Sequence, residues 1–313
     1  MNRINKIETG KLLSPRNGEI KAGEKLAASI DQAEFVIFGI EEDLGVQANF
    51  GFPGAKDNWI PFLKALLNTQ HNRYNTLEKV YVLGSLSFSE GESIEQIDRE
   101  ISQLSESISA QGKIPIAIGG GHNNAYGMIK GCSSAQKTSI NVLNFDAHTD
   151  FRQLDNRHSG NGFSYAYNEG FLAKYCVYGV HENYTPEYIF KAFEEDENLK
   201  LITMESLIDH PQKQESYLNQ SISFLKGKQI GLEVDLDCIS HLNSSAMTPS
   251  GFEFIELRKM FRTVVQSQRP IYLHLCEGIS DKTLPDYQKN QVAKVMAYLV
   301  TDFIKMFKSD QKE

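Results

Sequence analysis

Acidic and histidine side chains occur at alternate positions in two short stretches of this sequence. Asp146, His148 and Asp150 form one group, and Asp235 and Asp237 form the other. On an extended strand end, alternate side chains share one face, so each group would present its ligand atoms together. Carboxylates at the end of a buried strand repel each other unless a cation compensates them. Both groups are therefore candidate metal ligands, although a solvated Asp-x-Asp loop would have the same sequence.

His122 follows three consecutive glycines and is a third candidate position. A glycine-rich turn after a strand can also bind phosphate. Such a loop continues with Lys, Ser or Thr, whereas here Asn123 and Asn124 follow. We therefore add this histidine to the predicted metal ligands, which are His122, Asp146, His148, Asp150, Asp235 and Asp237.

The predicted ligand set contains four carboxylates and two imidazoles but no thiolate. These donors suit Mn²⁺ better than a structural Zn²⁺, although zinc, iron and nickel remain open on ligand type alone. Two ions fit the set if one or two carboxylates bridge them. A pair of ions roughly 3.5–4 Å apart activates water and polarises a substrate, which suits hydrolysis of a poorly electrophilic carbon.

The elements that carry these residues alternate between strand and helix patterns. Short apolar runs predict eight buried strands, at residues 35–40, 80–86, 114–118, 140–145, 175–180, 199–203, 229–234 and 271–275. Helical spacing predicts amphipathic helices at residues 59–67, 94–109, 186–193, 214–225, 254–265 and 288–307. This alternation predicts an α/β fold with a mostly parallel sheet between two helical layers. In such sheets ligands bind beyond the carboxyl ends of the strands, which is where the candidate residues and Glu277 fall.

Composition narrows the classes of partner. The chain of 313 residues is 41% hydrophobic, so we predict one domain, and its formal charge of −8 offers no basic surface for nucleic acid. The N-terminus has no apolar stretch for a signal peptide or membrane span, which predicts a cytoplasmic protein with a small-molecule substrate.

The four cysteines of the chain are far apart and form no Cys-x-x-Cys motif. We expect the polar residues 1–30 and 308–313 to be loosely ordered.

Three motifs, taken together, resemble the signature blocks of the arginase/agmatinase/formimidoylglutamase family. They run from Gly119 to His122, from Asn144 to Asp150 and from Glu233 to Asp237, and the likeness extends from about Phe35 to the last helix. The resemblance implies a three-layer α/β/α fold with about eight strands and two Mn²⁺ ions. It also implies assembly into trimers or hexamers.

The resemblance also implies a role for each ligand. His122, Asp146, Asp150 and Asp235 would hold one ion, and Asp146, His148, Asp235 and Asp237 would hold the other. Water activated between the ions would attack an amidino or formimino carbon. Glu277 matches the family glutamate that pairs with the cationic nitrogen of the substrate, a role suited to a carboxylate that accepts planar N–H donors.

The loop after the second motif departs from arginases. Arg152 stands where arginases have a carboxylate-binding asparagine, and Phe163 replaces a proton-shuttling histidine; formimidoylglutamases are more similar at both points. Arg152, Asn161 and Phe163 are therefore candidate substrate-binding residues, with Phe163 narrowing the pocket. His158 is a candidate general acid. His181, which follows a predicted strand, is a further pocket candidate.

These observations predict a dinuclear hydrolase of linear C–N bonds, with N-formimidoyl-L-glutamate as the first substrate. An arginase or other guanidino-acid hydrolase that releases urea is the alternative. A non-catalytic relative that retains its metal ligands is a second alternative. Deacetylases of the same fold use one zinc and lack the complete ligand set, so the intact motifs argue against them.

Overall fold

A nine-stranded sheet forms the centre of the protein, as seen in a computed structural model that describes residues 3–89 and 91–308. Its strands are β1 (Ile4–Asn5), β2 (Phe35–Glu41), β3 (Val80–Ser87), β4 (Ile114–Ile118), β5 (Ile140–Phe145), β6 (Leu172–Val180), β7 (Leu199–Thr203), β8 (Ile230–Asp235) and β9 (Tyr272–Cys276). Their order across the sheet is β1-β3-β2-β4-β9-β8-β5-β6-β7. The short β1 is antiparallel to β3, and the other pairings are parallel.

Helices cover both faces of this sheet. They are α1 (Leu44–Ala48), α2 (Trp59–Leu67), α3 (Ile94–Ala110), α4 (Asn124–Gln136), α5 (Gly162–Asn168), α6 (Glu187–Glu195), α7 (Met204–Asp209), α8 (Gln214–Phe224), α9 (Phe254–Gln268) and α10 (Asp286–Lys308). One core packs α2, α7, α8, α9 and α10 against the sheet, and a second core packs α3 to α6 against its other face. Alternate residues of β2 point into the two cores, as the pleat requires: Phe35 and Ile37 into the first, Val36 and Phe38 into the second. The predicted three-layer α/β/α class is confirmed.

All eight strands and six helices predicted from the sequence occur, whereas β1, α1, α4, α5 and α7 were not predicted, and α4 is the longest of these. Nine of its 13 residues are buried, so α4 has only a narrow exposed face and a weak amphipathic pattern. It lies close against α3: a Cβ on Gly127 would lie 2.9 Å from Ile101, and one on Gly131 would lie 2.0 Å from the Ser105 hydroxyl. The glycines that lower its helix propensity are therefore needed for packing.

Residues 3–30, for which we expected loose order, make defined contacts in the structure. Ile4 pairs with Leu86 of β3, and the backbone N–H of the fully buried Ala22 donates to the Thr69 carbonyl at 2.8 Å. Scattered apolar side chains anchor the segment on the first core, namely Ile7, Leu12, Leu13 and Leu26. Their irregular spacing gave no periodic signal. The expectation for residues 1, 2 and 309–313 lies outside the described residues.

No helix within residues 3–89 and 91–308 is long and apolar enough to cross a membrane.

Candidate metal centre

Four neighbouring strands deliver the predicted ligands and Glu277 to one edge of the sheet. In the order β4, β9, β8 and β5, these strands lie side by side and parallel. The loop after β4 carries His122, and Asp146 directly follows β5. Asp235 ends β8, and Glu277 directly follows β9. Because parallel strands end at the same edge, residues far apart in sequence meet there.

Four of the six predicted ligands form a compact group around the His122 ring. Its Nδ1 atom lies 2.8 Å from Asp150 Oδ2, 3.1 Å from Asp235 Oδ2 and 3.2 Å from Asp146 Oδ2. One ligand atom from each of the four residues lies within 4.8 Å of the others, and all four residues are buried. The geometry therefore brings together one imidazole and three carboxylates that are distant in sequence.

The other two predicted ligands adjoin this group on its more exposed side. His148 Nδ1 lies 3.6 Å from Asp146 Oδ1 and 3.7 Å from Asp237 Oδ2, and the His148 side chain is 29% exposed. Asp237 is fixed by the Ser245 hydroxyl, which donates at 3.3 Å, and by the Ala246 N–H, which donates at 3.1 Å. We refer to these six residues as the ligand cluster.

The donor atoms of the ligand cluster fit a bound cation. Burial, together with the charges of Asp237 and Asp146, raises the pKa of Asp235 well above its usual value. Both ring nitrogens of the fully buried His122 lack a hydrogen-bond partner among the described residues. A cation would neutralise the carboxylate repulsion and accept the imidazole lone pair. The oxygen-rich donor set favours Mn²⁺ over a structural Zn²⁺.

Glu277 lies beside the ligand cluster and keeps one carboxylate oxygen without a partner. Its Oε1 accepts the His122 backbone N–H at 2.7 Å, while the buried Oε2 forms no hydrogen bond within the described residues. Burial, followed by the charge of Asp237, raises the pKa of Glu277 to about 8. Glu277 has a φ of 63° and Asp150 one of 46°, so both residues occupy the left-handed region that non-glycine residues rarely adopt. A cationic group next to Oε2 would compensate the buried carboxylate.

The candidate residues in the loop after the second motif differ in how far they are exposed to solvent. We define residues 151–161 as the substrate loop. Arg152 is exposed, and its contact with a substrate stays a prediction. Asn161 is fully buried, and its amide is engaged within the loop: Oδ1 accepts from Arg157 at 2.7 Å and from the His158 N–H at 3.1 Å. Its Nδ2 donates to the Asn156 carbonyl at 2.9 Å. Asn161 therefore shapes the loop, and its contact with a substrate stays a prediction.

Phe163 does not line an open pocket, in contrast to our expectation. It is fully buried, with its ring edge-on to His122 at 5.0 Å between centroids and stacked on Tyr175 at 4.4 Å. The expected narrowing assumed a side chain at the site of the missing histidine, but α5 turns this residue into the core. Its contact with His122 supports the ligand from the side.

The two remaining candidate histidines are partly enclosed. His158 Nδ1 accepts the Gly160 N–H at 3.0 Å, and its Nε2 lies 3.5 Å from Asp155 Oδ1. Burial lowers the pKa of His158, and the nearby Arg152 charge lowers it further. His181 is buried beside the Tyr184 ring, and its Nε2 has no partner among the described residues. Either imidazole can exist in the neutral form near pH 7.

Sequence reasoning missed two buried charged residues that hold the loops of the site. Glu42 follows β2 and accepts from the Gly121 N–H at 3.0 Å and from the Asn124 amide at 2.6 Å, which fixes the turn before His122. Arg157 donates to both carboxylate oxygens of Asp98 on α3, at 2.9 and 3.1 Å. The position of Glu42 after an apolar run was an available signal for it. Arg157 carried no such signal because its partner lies on a helix distant in sequence.

Comparisons with known proteins agree with this geometry. A model described as the Arginase family matches residues 33–304. A formimidoylglutamase of Streptococcus pyogenes serotype M3 is 26% identical over 219 residues, which are 66% of this chain and 64% of the relative. The chain thus spans about 64% of the length of the curated relatives it matches.

Solved structures show the same fold at lower sequence identity. A formiminoglutamase of Trypanosoma cruzi, solved with Mn²⁺, has a TM-score of 0.79 at 20% identity, covering 93% of this chain and 99% of that one. A formimidoylglutamase of Bacillus subtilis also has a TM-score of 0.79, at 18% identity, covering 95% of this chain and 94% of the other. Both likenesses extend over nearly the whole chain.

Proposed function

The chain belongs to the arginase family, and we propose that it is a dinuclear-metal hydrolase that converts N-formimidoyl-L-glutamate and water to L-glutamate and formamide. The observation that carries this proposal is the ligand cluster with Glu277 Oε2 beside it, a buried oxygen that has no hydrogen-bond partner in the part of the chain that the structure describes. The formimidoylglutamases among the relatives support the choice of substrate.

We propose two Mn²⁺ ions per chain. One would be held by His122, Asp146, Asp150 and Asp235, a set supported by the mutual distances of these four residues. The other would be held by Asp146, His148, Asp235 and Asp237, a set supported by the position of His148 Nδ1 between Asp146 and Asp237. Bound ions supply an activated water as nucleophile and positive charge that stabilises the transition state. The Mn²⁺ in the relative from Trypanosoma cruzi supports the choice of metal.

The reaction breaks the bond between the formimino carbon and the glutamate nitrogen. The oxygen of water joins that carbon to give formamide, and the glutamate nitrogen leaves with a proton. Glu277 Oε2 accepts an N–H of the cationic formimino group and so fixes the carbon relative to the ligand cluster. Arg152 binds a carboxylate of the substrate from the pocket mouth. His158 is the proposed acid for the leaving group, and His181 lines the pocket.

Identifying the product tests the proposal. The Mn²⁺-loaded protein is incubated with formiminoglutamate, arginine and agmatine, and a metal-free Asp235→Ala variant serves as the control. We expect formamide from the first substrate. Urea from arginine as the dominant product would assign a guanidino-acid hydrolase. If two ions bind and nothing is hydrolysed, the protein is a metal-binding relative without catalysis. Its cytoplasmic location and its assembly into trimers or hexamers stay predictions.

A further inference from the structure

A second row of polar side chains lies one pleat below the ligand cluster. The register pairs Asn144 of β5 with Glu233 of β8, and Glu233 with His274 of β9. Asn144 and Glu233 each stand two positions before a ligand, Asp146 and Asp235, and therefore share its face of the sheet, while His274 is paired with Glu233 in the same row. Asn144, Glu233 and His274 are fully buried. We call these three residues the supporting row.

Glu233 is the centre of the supporting row. Its Oε1 accepts the Tyr272 hydroxyl at 2.8 Å, and its Oε2 lies 2.7 Å from His274 Nδ1. The Tyr272 ring reaches this position over Gly231, where a Cβ would lie 2.1 Å from the ring. Burying a carboxylate costs several kcal/mol unless it is paired, so this network needs each of its polar contacts.

The supporting row also contacts two members of the ligand cluster from below. Asn144 Nδ2 donates to Asp146 Oδ2 at 2.9 Å and to the Tyr175 hydroxyl at 3.0 Å. Glu233 Oε2 lies 3.5 Å from His122 Nε2, on the side of the ring opposite the carboxylates around Nδ1. One buried row therefore reaches a carboxylate ligand and an imidazole ligand.

A neutral imidazole carries one proton, and a metal ligand must offer the nitrogen that lacks it. In His122 the nitrogen that faces three carboxylates is Nδ1, and the nitrogen that faces Glu233 is Nε2. We propose that Glu233 is a positioning residue whose charge, 3.5 Å from His122 Nε2, favours the proton on that nitrogen and so leaves the Nδ1 lone pair free for an ion among Asp146, Asp150 and Asp235. This inference rests on the proposed metal centre and adds a residue that determines its affinity.

Competition with a chelator for Mn²⁺ tests this role without measuring catalysis. We expect Glu233→Gln to weaken one of the two ions about 10- to 100-fold, the usual scale for losing a partner of a ligating histidine, and to leave the second ion largely unaffected. Tyr272→Phe removes one hydrogen bond to Glu233 without contacting His122, so its loss of affinity should be smaller. Equal affinity in the wild type and in Glu233→Gln would overturn the inference.

A matched control separates positioning from general destabilisation. Asp302 of α10 is also fully buried and accepts from Arg258 at 2.7 Å and from Arg262 at 2.9 Å. Asp302→Asn should lower the unfolding midpoint while leaving Mn²⁺ affinity unchanged. If Asp302→Asn weakened Mn²⁺ as much as Glu233→Gln does, the effect would be one of stability and the positioning role would be wrong.

The tautomer of His122 can be observed directly in Zn²⁺-loaded protein by ¹⁵N NMR of its ring. We expect an Nε2 proton that exchanges slowly with solvent in the wild type, and faster exchange with line broadening in Glu233→Gln. An Nε2 proton that exchanges equally slowly in Glu233→Gln would overturn the role of Glu233. If the wild type bound no Mn²⁺ or Zn²⁺, both the proposed function and this inference would fail. If the wild type bound two ions and Glu233→Gln bound them equally well, only the inference would fail.

Discussion

The ligand cluster and the substrate loop lie next to each other but are built in different ways. Five of the six ligands, His148 excepted, are buried, and the ligands lie at or within a few residues of a strand end. The substrate loop has exposed residues at 152–156 and takes its shape from internal hydrogen bonds. The sheet therefore determines where the ligands lie, whereas the path of the loop determines which of its side chains face a substrate.

The anchor of the substrate loop illustrates this difference. Arg157 joins the loop to Asp98 on α3, donates to Asn161, and donates to the Asn123 carbonyl beside His122 at 3.1 Å. Its guanidinium also lies over the Tyr126 ring, 5.0 Å from the centroid. One buried cation thus ties the substrate loop both to α3 and to the residue that follows the ligand His122.

Removing a carboxylate that is assigned to both ions should have the largest effect. This change tests the ligand cluster, whose position the sheet determines. We expect Asp146→Ala and Asp235→Ala each to lose both ions and turnover, because each is assigned to both metals. His122→Ala and Asp237→Ala should weaken mainly one ion. Metal content per chain after dialysis measures this. If Asp146→Ala or Asp235→Ala kept two ions and full activity, the dinuclear assignment would be wrong.

Glu277→Gln tests whether the carboxylate beside the ligand cluster serves the substrate. The amide cannot offset a cationic formimino group, and a charged hydrogen bond contributes about 1.5–3 kcal/mol, so kcat/KM should fall roughly 10- to 150-fold. Metal content and the circular dichroism spectrum should match the wild type. An unchanged kcat/KM would remove Glu277 from the substrate site.

Asn161→Ala tests the hydrogen-bonded construction of the loop. Removing its amide takes away the acceptor of Arg157 Nη1 and of the His158 N–H, which should lower the free energy of unfolding by about 1–3 kcal/mol, as measured in urea. The KM of the metal-loaded protein should change little. Asn156→Ala, at an exposed position in the same loop, is the matched control. A raised KM with unchanged stability would instead make Asn161 a substrate ligand.

Arg152→Ala should have the smallest effect and tests the exposed part of the loop. Loss of one charged hydrogen bond to a substrate carboxylate should raise KM for formiminoglutamate about tenfold. Turnover in the wild type should rank formiminoglutamate above arginine and arginine above agmatine, which has no carboxylate. Arg152→Lys should recover part of the loss, since it keeps the charge without the planar fork. An unaltered KM in Arg152→Ala, or agmatine as the fastest substrate, would contradict this role.

The sequence predicted the sheet and the ligand cluster better than the substrate loop. Eight of the nine described strands, the three-layer class and the membership of the arginase family were predicted correctly, because buried runs and strand-end motifs are local signals. Asn161 and Phe163 were assigned by likeness to a loop, yet hydrogen bonds and the start of α5 turn both inward. Glu233 stood within a recognised motif, but its contact with His122 depends on the register of β8 and β9, which no short pattern contains.

The two outer strands of the sheet limit how copies of this chain can associate. A long flat edge strand offers unpaired N–H and C=O groups to another chain, and proteins avoid this with short or charged edges. Here β1 has two residues and covers one end of β3, while β7 at the opposite edge has five residues and carries Lys200. Neither edge is a long template for a strand from a second copy. We therefore expect that a homo-oligomer of this protein is built through helices and loops, with each sheet ending inside its own subunit.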